Sequence, residues 1–172
     1  MIRTEYDVVV GGAGLVGLAL ATALARDGLE VAVADRAPIA APDADPESWD
    51  VRVYAISPGS ANFLRAIGAW QHLAPDRVAA IEAMDVAGDA GGRLQFSAYD
   101  LGERALAWIV EERALRAALL QSAFAAGVAV HGGTPFVGLY FGAERGTLAL
   151  DDGGEPRELA ARLVVGADGL RS

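Results

Sequence analysis

Apolar positions change their period along this chain, and each change marks an element. Val8, Val9 and Val10 form a continuous apolar run, as in a strand buried on both faces. Glycines then break the run, and from Leu15 the chain becomes rich in Ala and Leu, a helix that ends near Gly28. A second apolar run (Val31, Ala32, Val33) stops at Asp35. Residues 38–49 hold Pro38, Pro42 and Pro46 among several acids and read as an exposed loop. Ser57 and Pro58 have the chemistry of an N-cap and a first helical residue, and the helix they open is expected to turn Phe63, Leu64 and Ile67 inward before ending near Gly68. Over 78–108 the period shortens to alternating pieces such as Leu94, Phe96 and Ala98 after Gly91-Gly92, which predict a hairpin rather than another crossover unit. Residues 111–126 return to a helix with Leu115, Leu119 and Ala123 on one face and Gly127 as its stop. A short strand is expected over 128–130. Residues 136–150 and 159–165 then predict a β-meander around the turn D-D-G-G at 151–154.

The first strand, helix and second strand frame a specific spacing. Gly12, Gly14 and Gly17 make G-x-G-x-x-G, and Asp35 stands about 20 residues further on, as a dinucleotide-binding βαβ unit requires. Gly12 permits the tight turn, Gly14 lets the main chain approach a pyrophosphate, and Gly17 allows close packing of helix on strand. The phosphates would rest on the unpaired N–H groups and the positive end of the helix that starts near Leu15. Asp35 would accept hydrogen bonds from a ribose hydroxyl, and its charge disfavours a 2′-phosphate. Residues 8–25 carry no charge and come near the length of a membrane span, but glycines break the run at the fingerprint spacing. Glu5 and Asp7 also spoil the basic leader of a signal peptide. The run reads as soluble core.

Composition narrows the function. Hydrophobic residues make up 53% of 172, enough for a sizeable core. The net charge of −9 disfavours nucleic acid and anionic membrane as charge-driven partners. With no cysteine there is no disulfide, no thiolate metal site and no redox dithiol, which sets aside disulfide-reductase flavoenzymes. His72 and His131 lie far apart, and no acid–histidine cluster suggests a metal. The final V-V-G-A-D-G-L-R-S places Asp168 and Gly169 after a buried strand, where α/β sheets bind ligands.

Taken together, G-G-A-G-L-V-G-L-A-L-A, D-V-R-V-Y-A-I-S with L-R-A-I-G-A-W, I-V-E-E-R-A-L and V-V-G-A-D-G-L-R-S resemble the FAD-dependent aromatic monooxygenases, and among them the ubiquinone-biosynthesis hydroxylases. The resemblance runs over essentially the whole chain. It implies an α/β fold: a Rossmann-like three-layer ββα FAD-binding domain with a β-meander, plus a partial substrate-domain β-hairpin. Residues 1–77 and 109–172 would form the FAD-binding domain, and 78–108 the insertion.

By position, the resemblance implies that Gly12, Gly14 and Gly17, with the N–H groups of Leu15 and Val16, hold the FAD pyrophosphate. Asp35 would bind the adenosine ribose, with Arg36 flanking the adenine. Arg52 would reach the phosphates or flavin side, unless it is a surface arginine paired with Asp50. Phe136 and Val137 would lie against adenine, and Asp168 with Gly169 would support the phosphate–ribose region and the approach of an NAD(P)H donor. Position 112 is usually Asn, Gln or Arg in such enzymes. Glu112 departs from that pattern, so it should either turn away or be neutralised by Arg113. No residue presents itself as a catalytic acid or base.

The implied reaction uses NAD(P)H and O₂ to hydroxylate an electron-rich phenol or quinol ring carrying a polyprenyl tail. A flavin-dependent reductase or dehydrogenase of the same fold, and a non-catalytic nucleotide-binding fragment, are the alternatives. Family members continue past the Asp-Gly motif into a Gly-Asp motif and further substrate-domain strands. The chain is therefore expected to be the N-terminal part of a longer cytoplasmic enzyme, with any contact to the inner membrane or a biosynthetic complex made through the remainder. The 172 residues alone should be inactive and hold FAD weakly, and the strand at 163–165 should become an apolar edge prone to self-pairing.

Overall fold

A computed structural model of the chain describes residues 4–40, 48–151, 153 and 157–169. The chain forms two compact units, Met1–Pro42 with Leu119–Ser172, and Asp43–Ala118.

In the first unit the uncharged run splits into a strand and a helix. Its apolar start lies in β1 (Glu5–Gly11), and the Ala/Leu stretch forms α1 (Leu15–Arg26). The chain returns through β2 (Val31–Asp35), parallel to β1. Among the described residues no helix is long and apolar enough to cross a membrane.

After the second unit come the C-terminal half of a helix, α3 (Glu112–Ala125), the short strand β8 (Ala129–Gly132) and the meander. The meander is β9 (Phe136–Phe141), β10 (Gly146–Leu150) and β11 (Arg157–Gly166), each antiparallel to the next. The sheet order is β8-β2-β1-β11-β10-β9, so β11 closes back beside β1 in parallel, pairing Val9 with Val164 and Gly11 with Gly166. Its ladder with β10 ends at Ala161, beyond which the register continues with β1. The strand at 163–165, expected to be an edge, has β1 as a neighbour on one side and no paired strand on the other among the described residues. In the turn 151–154, Asp151 accepts a hydrogen bond from the Gly153 N–H at 3.0 Å, while Asp152 and Gly154 lie outside the described residues. So do most of the proline-rich loop (41–47) and the final L-R-S.

The two faces of this sheet are buried differently. Tyr6 and Val9 of β1, with Ala32 and Ala34 of β2, pack with Leu148, Leu150, Leu159 and Ala161 of the meander. By alternation Val10 and Val33 point to the opposite face, where α1 packs on β1 and β2. All of Val9, Val10, Val33 and Leu18 are fully buried, each contributing about 1.5–3 kcal/mol against exposure. Half-buried His131 at the end of β8 shares a 3.3 Å hydrogen bond with Tyr6. Burial, with Arg157 nearby, lowers its pKa.

The second unit carries a three-stranded antiparallel sheet, ordered β3 (Val53–Ile56), β7 (Ala107–Glu111), β4 (Val78–Ile81), and a separate hairpin of β5 (Ala83–Ala87) and β6 (Arg93–Ser97). The hairpin pairs Met84 with Phe96 and Val86 with Leu94, leaving four apolar side chains exposed. Helix α2 (Pro58–Ala66) begins as its sequence predicts, with Ser57 Oγ accepting from the Ser60 N–H at 3.2 Å. Phe63, expected inward, is 45% exposed. The buried stripe runs Ala61, Leu64, Ile67 at three-residue spacing, and Phe63 falls beside it. The helix expected from 111 also starts one residue later, because Glu111 ends β7. Trp70 meets Trp108 edge to face at 5.6 Å, with the Arg65 guanidinium 4.6 Å from the Trp70 ring centre.

Replacing the capping serine, Ser57→Ala, should cost about 1 kcal/mol through the lost N-cap. Urea unfolding followed by Trp fluorescence reads this, and an unchanged midpoint would show that the cap contributes nothing.

Candidate functional site

The three fingerprint glycines do different things. Gly12 sits at φ +113°, and its N–H donates to Ala34 O at 2.7 Å. A Cβ there would come within 2.4 Å of Ala167 O, so glycine is required both by the turn and by the approach of the segment before Asp168. That segment is tied down by Ala167 N–H donating to Gly11 O at 2.7 Å. A Cβ on Gly17 would lie 1.9 Å from Gly12 O, which explains the close approach of helix and turn. Gly14 differs from both. It has φ −75° and ψ −177°, open to any residue, and a Cβ on it would meet no protein atom within 4 Å. It is the N-cap of α1 and has no side-chain cap bond, so the helix presents N–H groups outward beside an open surface where Val16 is 73% exposed.

Beside this turn, Gly12, Asp35, Arg36, Phe136 and Asp168 line a cavity of about 50 Å³. Phe136 and Asp168 also border an apolar groove of about 290 Å³ with Leu139, Leu148, Val164 and Val165. Asp35 is tied into the turn: Oδ2 accepts from Ala13 N–H at 2.7 Å and Oδ1 from Ala37 N–H at 2.9 Å. Each oxygen keeps a further lone pair for a ligand hydroxyl. Val137 is 54% exposed, and at this point in the meander it is Phe136 that lines the cavity. Gly169 has φ +80°, a conformation that suits glycine.

In the second unit, Arg52 pairs with Glu112 at 3.3 Å. The expected neutralisation of Glu112 by Arg113 does not occur. Arg113 is taken by Glu111 (Nε to Oε2, 3.1 Å) and by the hydroxyl and carbonyl of Ser48. Nor does Asp50 hold the Arg52 side chain. Its carboxylate accepts from the backbone N–H groups of Arg52 (3.0 Å) and Arg113 (3.1 Å), which lower its pKa. Glu112 N–H donates to Arg52 O at 2.9 Å, so residues 50–52 cap the start of α3. Behind them lies Glu111, 4% exposed, which accepts from Arg77 (2.9 Å), Arg113 and the Asp50 N–H (3.0 Å).

A family model described as "FAD binding domain" matches residues 5–172. The chain belongs to this FAD-binding family. It is 32% identical to the 3-demethoxyubiquinol 3-hydroxylase of Escherichia coli over 173 residues, covering 100% of this chain and 43% of that protein. Against the mitochondrial ubiquinone biosynthesis monooxygenase COQ6 of Mus musculus it is 40% identical over 87 residues, 48% of this chain and 18% of that one. The crystal structure of p-nitrophenol 4-monooxygenase PnpA from Pseudomonas putida DLL-E4 superposes with a TM-score of 0.75 at 17% identity, over 99% of this chain and 42% of that one, a likeness of fold. The chain spans less than half the length of the relatives it matches.

The first unit of this FAD-binding chain fits the cofactor's adenosine diphosphate half. An uncapped helix N-terminus offers N–H donors to a diphosphate, Gly14 leaves the space a Cβ would fill, and Asp35 offers acceptors to a ribose. The Glu111 network escaped sequence reasoning. Its signal was a charged residue closing the apolar strand A-W-I-V-E, next to E-R.

Proposed function

We propose that this chain is the FAD-binding part of a flavin-dependent hydroxylase acting on a polyprenyl phenol or quinol ring, with NAD(P)H as electron donor. The observation that carries the cofactor half of this reading is Gly14, whose missing side chain answers to no protein atom. The names of the relatives support the substrate class, and the pairing of a monooxygenase fold with ubiquinone-pathway relatives supports the reaction.

In this reading Gly12 and Gly17 shape the turn, and the N–H groups of Leu15 and Val16 receive the diphosphate. Asp35 holds the ribose, Arg36 lies by the adenine, and Asp168 and Gly169 border the phosphate–ribose region. Arg52 and Glu112 belong to the flavin-side contacts. Residues 78–108 are the start of a substrate domain, where Met84, Val86, Leu94 and Phe96 give an apolar wall suited to a ring with a hydrocarbon tail. Bound flavin supplies electron transfer to O₂ and oxygen delivery to the ring, while the protein orients the ring and excludes water.

Titrating the chain with FAD should quench flavin fluorescence and raise the unfolding temperature. Absence of both effects would remove the cofactor assignment. In the full-length enzyme, NAD(P)H oxidation should consume O₂ and yield a hydroxylated ring. Reduction of a prenyl double bond without O₂ uptake would instead make it a reductase of the same fold.

A further inference from the structure

We propose that Gly132, at the end of β8, is a positioning residue for the adenosine half of the cofactor: its missing side chain lets residues 35–39 lie where they hold the nucleoside. The inference rests on the FAD reading above and stays within the first unit. Gly132 belongs neither to the G-x-G-x-x-G spacing nor to the Asp-Gly motif, and it does not line the cavity beside Asp35.

The strand β8 is one edge of the six-stranded sheet, and its ladder with β2 ends at the pair Asp35 and Gly132. Past the ladder the two segments stay joined. Thr134 N–H donates to Asp35 O at 3.3 Å, and Gly133 N–H donates to Ala37 O at 2.9 Å. Ala37 in turn uses its own N–H to hold Asp35 Oδ1 at 2.9 Å. The orientation of the ribose-binding carboxylate therefore depends on where Ala37 lies, and residues 132–134 fix Ala37. Ile39 closes the brace. A Cβ on Gly132 would stand 2.5 Å from Ile39 N, 2.8 Å from its Cγ1 and 3.0 Å from its Cβ. The first of these is main chain and cannot rotate away, so any side chain at 132 must push residues 37–39 off β8. Asp35 and Arg36 line the cavity at the near end of that segment, and Phe136 of the same cavity follows two residues after the buried Thr134. Asp35 Oδ2 keeps a separate tie to Ala13 N–H at 2.7 Å, so the turn that carries the diphosphate is spared.

The test is Gly132→Ala, with affinities read by amide chemical-shift titration. Adenosine, ADP and FAD should each bind about tenfold more weakly, the scale of one hydrogen bond lost. Inorganic pyrophosphate, which meets only the start of α1, should bind as it does to wild type. A mere loss of stability would not divide the ligands in this way. Val31→Ala, a core truncation at the far end of β2, should lower the unfolding midpoint and leave all four affinities unchanged. Ile39→Ala is the gentler variant should Gly132→Ala fail to fold. It removes the side chain seated on Gly132 and leaves the main chain alone, and it should weaken adenosine, ADP and FAD by a smaller factor with pyrophosphate again unaffected. Normal adenosine binding by folded G132A, or an equal loss of pyrophosphate, overturns the positioning role. So does normal adenosine binding by Ile39→Ala where that is the variant that folds, or a comparable loss in Val31→Ala, which would trace the effect to stability. If wild type binds neither FAD nor ADP, the cofactor reading itself has failed.

Discussion

Gly14→Ala should leave the fold intact and remove most of the affinity for FAD. The backbone at 14 is already in a region open to alanine, and the added methyl meets no protein atom. Two small effects on stability oppose each other. Alanine is a poorer N-cap than glycine, while losing glycine reduces the entropy of the unfolded chain. The net change should stay within about 1 kcal/mol. For a diphosphate the methyl stands at the mouth of the helix, and lifting the ligand by an ångström or more weakens one or two charge-assisted hydrogen bonds. With about 1.5–3 kcal/mol lost in all from this weakening, that is roughly a 10- to 150-fold loss of affinity. Gly17→Ala supplies the contrast. Its Cβ would lie 1.9 Å from Gly12 O, so helix and turn must separate, costing about 2–4 kcal/mol along with the binding. Calorimetric titration with FAD and thermal unfolding on both variants separate the two cases. Full FAD affinity in G14A would mean that no phosphate passes that glycine.

The parts of this protein encoded at short range were readable from its residues. The first strand, the turn, α1 and β2 follow from spacing within 30 or so positions, because each glycine acts on its neighbours. The Ser57 cap, the 83–97 hairpin and the meander are local for the same reason. What escaped depends on residues far apart in the chain. Nothing in V-V-G-A-D-G reveals that Ala167 lies against Gly12, so the first glycine looked like a turn residue when it also makes room for a segment over 150 positions away. Asp35 showed its acid at the right distance, but not that both its oxygens also brace backbone N–H groups at 13 and 37. Phe63 looked inward because it is large and apolar. The inward stripe of α2 is set by its three-residue spacing. Arg113 stood next to Glu112 in sequence and was expected to neutralise it, but consecutive helical residues point in different directions. The partner came instead from 60 positions earlier.

The same long-range wiring supplies the second large effect. Glu111→Ala should destabilise the second unit by about 3 kcal/mol, because it strands two arginines around a buried hole. The Glu111 side chain is 5% exposed and receives Arg77, Arg113 and the Asp50 N–H, while the Arg77 and Arg113 side chains are 19% and 22% exposed, which places the cost at the lower end for a broken buried pair. Through Asp50 and Ser48 the loss should loosen residues 48–52 and the start of α3, seen as faster amide exchange at Arg52 and Arg113. Glu111→Gln, which can still accept from Asp50, should cost less. The pH dependence has a definite sign. Burial by itself would raise the carboxyl pKa, but the Asp50 N–H, Arg77 and Arg113 together outweigh it and hold it below the usual value. A depressed native pKa means that the stabilisation is complete above the unfolded value of about 4.3 and fades as pH falls below it. Wild type should therefore lose stability in that acid range more steeply than E111Q, so the gap between the two narrows on acidification. A gap that stays constant from pH 7 to pH 3 would mean that the Glu111 charge contributes nothing, leaving only the packing of its side chain.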